Sequence, residues 1–170
     1  MTLTRALIGA LLCLAALSCA TPSPNPTPEV TMTAQLRALP DHPSLSVVVQ
    51  TGTEHFGNGL FTLTVQGDGA LHLLQRRAGT PHNFTDTLSD DALTAFGATL
   101  AEHGFTRPRT SEMPREPGDT PVLLKLRDGD QTLFEANLWE ADRYDDPDLD
   151  ALLQAAEALI IEQVGDGGYP

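Results

Sequence analysis

The fold is decided by residues 60–76, which read LFTLTVQGDGALHLLQR. Phe61, Leu63 and Val65 alternate with polar residues there, and a period of two residues is typical of a strand that buries one face. The Gly-Asp-Gly sequence that follows predicts a tight turn, because glycine adopts positive φ angles without steric cost. The chain is therefore expected to return as an antiparallel strand over residues 70–76.

Further strands are predicted on both sides of this hairpin. Residues 46–50 are rich in valine, and β-branched side chains favour a strand. Residues 122–127 and 131–138 flank Asp128-Gly129, and an Asp-Gly pair between two apolar runs is the strongest short-range signal of a β-hairpin. The first three strands are thus expected to form a meander, and the last two a separate hairpin.

Two helices are predicted from their capping residues and apolar stripes. Ser89 precedes the first helix, over residues 90–103, and its side chain is expected to cap the backbone N–H groups. Asp146 and Pro147 open the second helix, because a capping side chain followed by proline at the first helical position is typical of a helix start. Gly165 ends this helix. Each helix has one apolar stripe, so each is expected to bury one face.

The predicted order β-β-β-α-β-β-α indicates an α+β fold. Strands connected as hairpins build an antiparallel sheet of about five strands, and the two one-sided helices are expected to cover one face of it. The domain is expected to span residues 45–165, which is long enough for a hydrophobic core that needs no disulfide or metal. Residues 166–170 are expected to be a disordered tail.

Charge and composition exclude several classes of function. The chain has 10 Lys and Arg residues against 23 Asp and Glu residues, a formal net charge of −13. Nucleic-acid binding depends on clustered positive charge, so no nucleic-acid partner is expected. Lys125 is the only lysine, which also argues against a polybasic patch for membrane surfaces.

The N-terminus has the pattern of a secretory signal peptide. Arg5 precedes an apolar run over residues 6–17, which is too short to span a bilayer, because a membrane helix needs about 20 apolar residues. The run ends in Ala-Ala-Leu-Ser before Cys19, and this sequence resembles the lipobox of bacterial lipoproteins. The resemblance implies cleavage of a signal peptide over residues 1–18 and lipidation of Cys19.

Lipidation implies a location in the cell envelope, where acyl chains hold the protein to a membrane. In a Gram-negative cell we expect the outer membrane or periplasmic face, and otherwise the outer face of the cytoplasmic membrane. Residues 19–44 are expected to form a tether. Residues 20–29 read ATPSPNPTPE, and alternating prolines favour an extended polyproline II structure. A short, loosely held helix is expected over residues 30–39.

Catalytic motifs are missing from the sequence. The chain lacks a G-x-S-x-G elbow, a phosphate-binding loop and an H-E-x-x-H zinc sequence, so neither enzyme activity nor a cofactor is expected. The five histidines are interpreted as structural or solvent-facing residues. An unrecognised hydrolase stays open as an alternative, in which His72, His82 or His103 supplies a base alongside Asp or Glu.

An acidic segment opens the second helix. Asp146, Asp148 and Asp150 lie at positions 1, 3 and 5 of a calcium-binding EF-hand loop. Glu157 lies at position 12 of the same pattern. Position 6 is Ala151 rather than glycine, and the helical pattern runs through the residues that would have to form the loop. The segment is therefore interpreted as a solvated helix start, and the four carboxylates are kept as a weak calcium candidate.

Two groups of residues are candidates for contact with a partner. The aromatic candidates are Phe56, Trp139 and Tyr144, since aromatic side chains are favoured anchors of interfaces. The basic candidates belong to residues 105–120, where no periodicity is found, and so long a loop inside a compact domain is functional or mobile. They are Arg107, Arg109 and Arg115.

The order of elements resembles that of emfourin-type bacterial protease inhibitors. The similarity lies in the paired hairpins, the Asp-Gly turn and the capped helix that runs from Ser89 to Phe105. The resemblance implies an inhibitor of an envelope or secreted metalloprotease, but it identifies no inhibitory residue. The residues themselves favour a membrane-anchored, non-catalytic binding module with a protein partner in the envelope. Protease inhibition and hydrolysis are the alternatives.

Overall fold

The computed structural model describes residues 27–55, 57–111 and 118–165. Several predictions concern residues outside these ranges. They are the signal peptide over residues 1–18, the lipidation of Cys19, the contact residues Phe56 and Arg115, and the tail over residues 166–170. Among the described residues, no helix is long and apolar enough to cross a membrane.

Within the described ranges, six strands form one antiparallel sheet. In chain order they are β1 (Leu45–Gly52), β2 (Leu60–Gln66), β3 (Ala70–Arg77), β4 (Thr80–Thr87), β5 (Pro121–Asp128) and β6 (Gln131–Trp139). Their order across the sheet is β4-β3-β2-β1-β5-β6, so the first strand lies between β2 and β5.

Helices make up the rest of the regular structure in the described part of the chain. The α-helices are α1 (Pro28–Arg37), α2 (Asp90–Glu102) and α3 (Pro147–Val164). Two short 3-10 helices span Leu39–Asp41 and Glu140–Tyr144. The second of these lies between β6 and α3.

The core lies between the helices and one face of the sheet. Phe61, Leu63 and Val65 of β2 are buried as predicted, whereas the residues between them are partly exposed. Val49 in β1 lies opposite Leu63 in β2 and Leu124 in β5, so apolar rows run across the strands. The apolar stripes of α2 and α3 belong to the same buried cluster. The predicted α+β fold with an antiparallel sheet is confirmed.

Capping side chains begin both predicted helices. Ser89 Oγ accepts a hydrogen bond from the N–H of Ala92 at 3.3 Å. Asp146 Oδ1 accepts hydrogen bonds from the N–H groups of Asp148 and Leu149, each at 3.1 Å. The predicted starts of α2 and α3 are therefore confirmed together with their cause.

The sheet has one strand more than the predicted five. This strand, β4, reads TPHNFTDT, and its side chains are exposed except for that of Phe84, which is partly buried. The strand lies at an edge of the sheet. Its side chains meet solvent on both faces, so no apolar alternation marks it in the sequence.

The folded unit begins before the predicted boundary at residue 45. The helix expected over residues 30–39 is present as α1, two residues earlier, and it packs on α2 instead of being loosely held. Leu36 is fully buried. The approach is close because Gly97 of α2 has no side chain, and a Cβ there would collide with the carbonyl oxygen of Leu36. Residues 28–44 of the expected tether are thus part of the domain.

Candidate functional site

One end of the sheet gathers the long connections of the domain. At this end β1 stops and β2 starts, with Gly52 opposite Leu60. At the same end β5 starts and β6 stops, with Pro121 opposite Trp139. The described parts of the β1–β2 connection and of the loop between α2 and β5 therefore meet there with the second 3-10 helix. We call this the loop end; the opposite end carries the short turns after β2 and β5.

A cavity of about 300 Å³ opens at the loop end, and we call it the loop-end cavity. Most of its lining is the glycine-rich backbone that connects β1 to β2, with Phe61 of β2 beside it. Thr120, the residue before β5, and Glu140, the first residue of the second 3-10 helix, complete this side of the cavity. Gly52 and Gly59 allow this shape, because a Cβ on Gly52 would collide with the carbonyl oxygen of Gly59.

Two polar side chains of the cavity have hydrogen-bonding capacity that the described residues leave at least partly unused. Thr53 Oγ1 is buried and has no hydrogen-bond partner among the described residues. The Glu140 side chain is 41% exposed. The backbone N–H of Glu140 donates to the carbonyl oxygen of Thr120 at 2.8 Å, and this hydrogen bond fixes the position of the Glu140 backbone at the cavity. Gln75 has a structural role, since its Nε2 donates to the carbonyl oxygen of Asn58 at 2.6 Å and holds the β1–β2 connection.

Two arginines fasten the loop after α2 to the start of α3. Arg109 Nε donates to Asp146 Oδ2 at 2.9 Å, and its other nitrogens donate to two carbonyl oxygens at the end of α2, at 2.6 and 2.9 Å. Arg107 donates to Asp146 at 2.8 Å and to Asp148 at 2.9 Å. The N-terminal turn of α3 therefore holds the loop through two carboxylates.

This arrangement lowers the pKa of Asp146 to about 2. Partial burial raises that pKa, but hydrogen bonds from Arg109, a backbone N–H and Arg107 favour the charged carboxylate and outweigh the burial. Hydrogen bonds from His103 and Arg107 also lower the pKa of Asp148. Both carboxylates are therefore ionised and paired at neutral pH.

The structure places two of the three predicted basic contact residues in these internal ion pairs. The Arg109 side chain is only 6% exposed, so it positions the loop and has little surface to offer a partner. Arg107 is 43% exposed and keeps some surface beside the loop end. Arg115 lies outside the described residues.

The four carboxylates of the calcium candidate do not converge on one point. The first two are bound by the arginines of the loop, as described. Asp150 and Glu157 instead accept hydrogen bonds from Arg143, each at 2.7 Å. The segment is helical from Pro147 onward, as its capping residues predicted. Among the described residues, no group of three or more His, Cys, Asp or Glu is placed to hold a metal ion.

Trp139 and Tyr144 lie at the two ends of the second 3-10 helix, both at the loop end. Trp139 is partly buried and lines a second cavity of about 400 Å³ together with Gln50, Ser111 and Leu123. Tyr144 is 85% exposed. The structure thus brings the two aromatic candidates it describes to the same end of the sheet as the cavities.

The three histidines of the hydrolase alternative lie on separate elements. His72 in β3 is exposed on the face of the sheet away from the helices, whereas His82 lies opposite Gln75 in the neighbouring strand. His103 ends α2, and its Nδ1 lies 3.0 Å from Asp148 Oδ1. The structure does not bring these side chains together.

The lining residues of the loop-end cavity were not found from the sequence. Thr53 and Glu140 are ordinary polar residues in connecting segments, so no periodicity or motif distinguishes them. A signal was present in the glycines at positions 52, 57 and 59, because isolated glycines near strand ends favour close backbone approach. That signal indicates a special backbone shape but not its chemistry.

Comparisons of the whole chain with protein-family models and with curated proteins find no match in either set. The geometry of the loop end is therefore the basis for assigning a function.

Proposed function

We propose that this chain is a lipid-anchored protein of the bacterial cell envelope that binds another protein, without catalysis, through its loop end. The observation that carries the binding site is the convergence of two cavities with Trp139 and Tyr144 at one end of the sheet. Tyr144 is exposed and Trp139 is partly buried. Aromatic side chains beside concave surface are typical of protein interfaces, because they bury much area with few rotatable bonds.

Hydrogen bonds hold the described parts of the loop-end segments in place, which supports this proposal. Gln75 holds the β1–β2 connection, and Arg109 holds the loop after α2. Asp142 Oδ2 accepts a hydrogen bond from the backbone N–H of Trp139 at 2.8 Å, which fixes the start of the second 3-10 helix. A surface that is ordered before binding loses less conformational entropy when the partner arrives.

Capture of the partner in living cells tests the binding proposal. The full chain with a C-terminal tag is expressed, crosslinked in the envelope and purified, in parallel with the Tyr144→Ser and Asp130→Ser variants. Both positions are exposed, but Tyr144 lies at the loop end and Asp130 lies at the opposite end of the sheet. We expect a stoichiometric partner with the wild type and Asp130→Ser, and about tenfold less of it with Tyr144→Ser. Equal capture by all three proteins, or no specific partner, overturns the proposal.

The lipid anchor is proposed from the lipobox resemblance at Cys19. Cys19→Ala in the full chain is expected to move the protein from the membrane fraction to the soluble envelope fraction and to abolish labelling with a palmitate analogue. Cys13→Ala, in the apolar run, is the matched control and should stay membrane-bound and labelled. Membrane retention of the Cys19 variant contradicts the anchor.

Inhibition of an envelope or secreted metalloprotease is the second candidate. It is favoured by the α+β fold, since paired hairpins and a capped helix are the features on which the resemblance to emfourin-type inhibitors rests. If this candidate is right, the full chain at micromolar concentration slows a thermolysin-like protease, and Tyr144→Ser slows it less. Proteolysis at an unchanged rate counts against inhibition and leaves the binding proposal to the capture experiment.

A further inference from the structure

We propose that the loop-end cavity takes the side chain of a lysine or arginine of the bound protein. The inference rests on the proposed function and names the group of the partner that enters the site. Three properties of the cavity carry it: its size, its charge and an unpaired acceptor.

The cavity has room for one long side chain. Its volume of about 300 Å³ lies at the lower end of the range for ligand sites, which is about 300–1,000 Å³. Much of the lining is glycine backbone, so an aliphatic stem can lie against it without displacing other side chains. Lysine and arginine bury such stems while their charged heads reach polar groups.

The described lining of the cavity carries a negative charge. Glu140 is the one charged residue among the lining residues that the structure describes. Arg143 lies 3.7 Å from Glu140, but it donates at 2.7 Å to both Asp150 and Glu157. Because Arg143 is bound more closely by two other carboxylates, Glu140 keeps acceptor sites for a cation from outside.

Thr53 supplies a second acceptor in the same cavity. Its Oγ1 is buried and has no hydrogen-bond partner among the described residues. A buried hydroxyl without a partner is unfavourable, and a donor on an incoming group would satisfy it. An ammonium group has three N–H donors and a guanidinium has five, so either head has donors for both Thr53 and Glu140.

An anionic occupant is disfavoured at this place. Gly52 and Gly59 have positive φ angles, and such backbone turns expose N–H groups that bind phosphate in other proteins. Here a carboxylate lines the cavity, and the chain as a whole has a net charge of −13. Repulsion between like charges therefore opposes an anion and favours a cation.

Titration with capped amino acids tests the proposal. The full chain in detergent micelles is titrated with N-acetyl-lysine amide and N-acetyl-arginine amide, and the amide NMR signals of Thr53, Gly59 and Thr120 are followed. N-acetyl-norleucine amide, which has an aliphatic stem and no charge, is the control probe. At least one cationic probe is expected to shift these signals and to bind about tenfold more tightly than the control probe. Equal affinities, or no shifts at the highest soluble concentration, overturn the proposal.

Three variants locate the binding of the probes. Glu140→Gln preserves the shape of the side chain and is expected to lower the affinity for the cationic probe about tenfold. Thr53→Val removes the hydroxyl and is expected to lower the affinity for the same probe by a smaller factor. Glu135→Gln removes a carboxylate of β6 that pairs with Lys125 and does not line the cavity, so it should behave as the wild type. Unchanged affinity in Glu140→Gln, or an equal loss in Glu135→Gln, overturns the proposal.

Free putrescine distinguishes a protein side chain from a small soluble cation. If putrescine binds more tightly than both capped amino acids, the occupant is a free diamine and the proposal fails. The capture experiment separates this proposal from the function on which it rests. A partner captured equally by wild type and Glu140→Gln overturns the role of the cavity and leaves the binding function intact, whereas the lack of a partner overturns the function itself.

Discussion

Arg109 and Asp146 form a largely buried ion pair, with Arg109 Nε 2.9 Å from Asp146 Oδ2. The same carboxylate accepts hydrogen bonds from two backbone N–H groups at the start of α3. One side chain therefore both begins a helix and holds the loop after α2. Arginine suits this place because its planar guanidinium offers several donors in fixed directions, which serve one carboxylate and two carbonyl oxygens here.

Arg109→Ala is expected to lower the free energy of unfolding by about 2–4 kcal/mol, because it leaves a partly buried carboxylate short of a partner and two carbonyl groups without their donor. Denaturation by urea measures the change. Arg127→Ala is the control, since Arg127 lies 3.8 Å from the fully exposed Asp130, and it should change stability by less than about 0.5 kcal/mol. Similar losses in the two variants would contradict a structural role specific to Arg109.

Asp146 is expected to make stability depend on pH in the acid range. Its pKa is lowered from an ordinary value of 3.8 to about 2, so its contribution is present above pH 3.8 and is lost as the pH falls through the folded-state pKa. The free energy of unfolding of the wild type should therefore fall relative to Asp146→Asn by about 2 kcal/mol between pH 5 and pH 2.

Asparagine still caps a helix, so the comparison isolates the charge of Asp146. Urea denaturation at a series of pH values gives the two curves, and Asp130→Asn should follow the wild type because Asp130 is fully exposed. A constant difference between wild type and Asp146→Asn across this range would show that the pKa of Asp146 is not lowered.

Gly97→Ala is expected to displace α1 from α2, because the added Cβ collides with the carbonyl oxygen of Leu36. The loss of stability should be about 1–3 kcal/mol, as for other overpacked cores, despite the better helix propensity of alanine. Hydrogen exchange should become faster over residues 28–37 in particular. Thr94→Ala, at an exposed position of the same helix, should leave hydrogen exchange over residues 28–37 unchanged. Unaltered protection of α1 in the Gly97→Ala variant would contradict the close contact between α1 and α2.

Calcium is expected to leave the melting temperature within about 1 °C of its value in chelator. The reason is that the carboxylates of Asp146, Asp148, Asp150 and Glu157 are already paired with arginine side chains. Differential scanning fluorimetry in millimolar calcium, with magnesium as the reference ion, makes the comparison. A rise of several degrees that is specific to calcium would contradict this pairing in solution.

The elements that the sequence predicts are those with a buried face. Strand β2 alternates apolar and polar residues, and α2 and α3 have caps and apolar stripes, so local patterns report their burial. The sequence does not predict β4, because the side chains of this strand are almost all exposed. The packing of α1 is not predictable from the sequence, because Leu36 is the one buried residue of this helix and a single position gives no periodicity.

The candidate site was predictable only in part. Trp139 and Tyr144 stand out by residue type, but their place beside the cavities follows from the register of β5 and β6. The carboxylate partners of Arg107 and Arg109 lie 37 to 41 residues further along the chain, and no local pattern connects such distant positions. The charges of Arg107 and Arg109 predict contact with a partner, whereas the tertiary structure pairs both side chains with carboxylates of the same chain.

The central position of β1 has a consequence for how the chain folds. β1 is made first, and β2 can pair with it at once, but its other neighbour β5 begins only at Pro121. Until that residue has left the ribosome, one edge of β1 has unpaired backbone groups that another strand can bind, and open edges favour aggregation. A chain shortened before β5 is therefore expected to form insoluble aggregates, because β1 is left without its second neighbour.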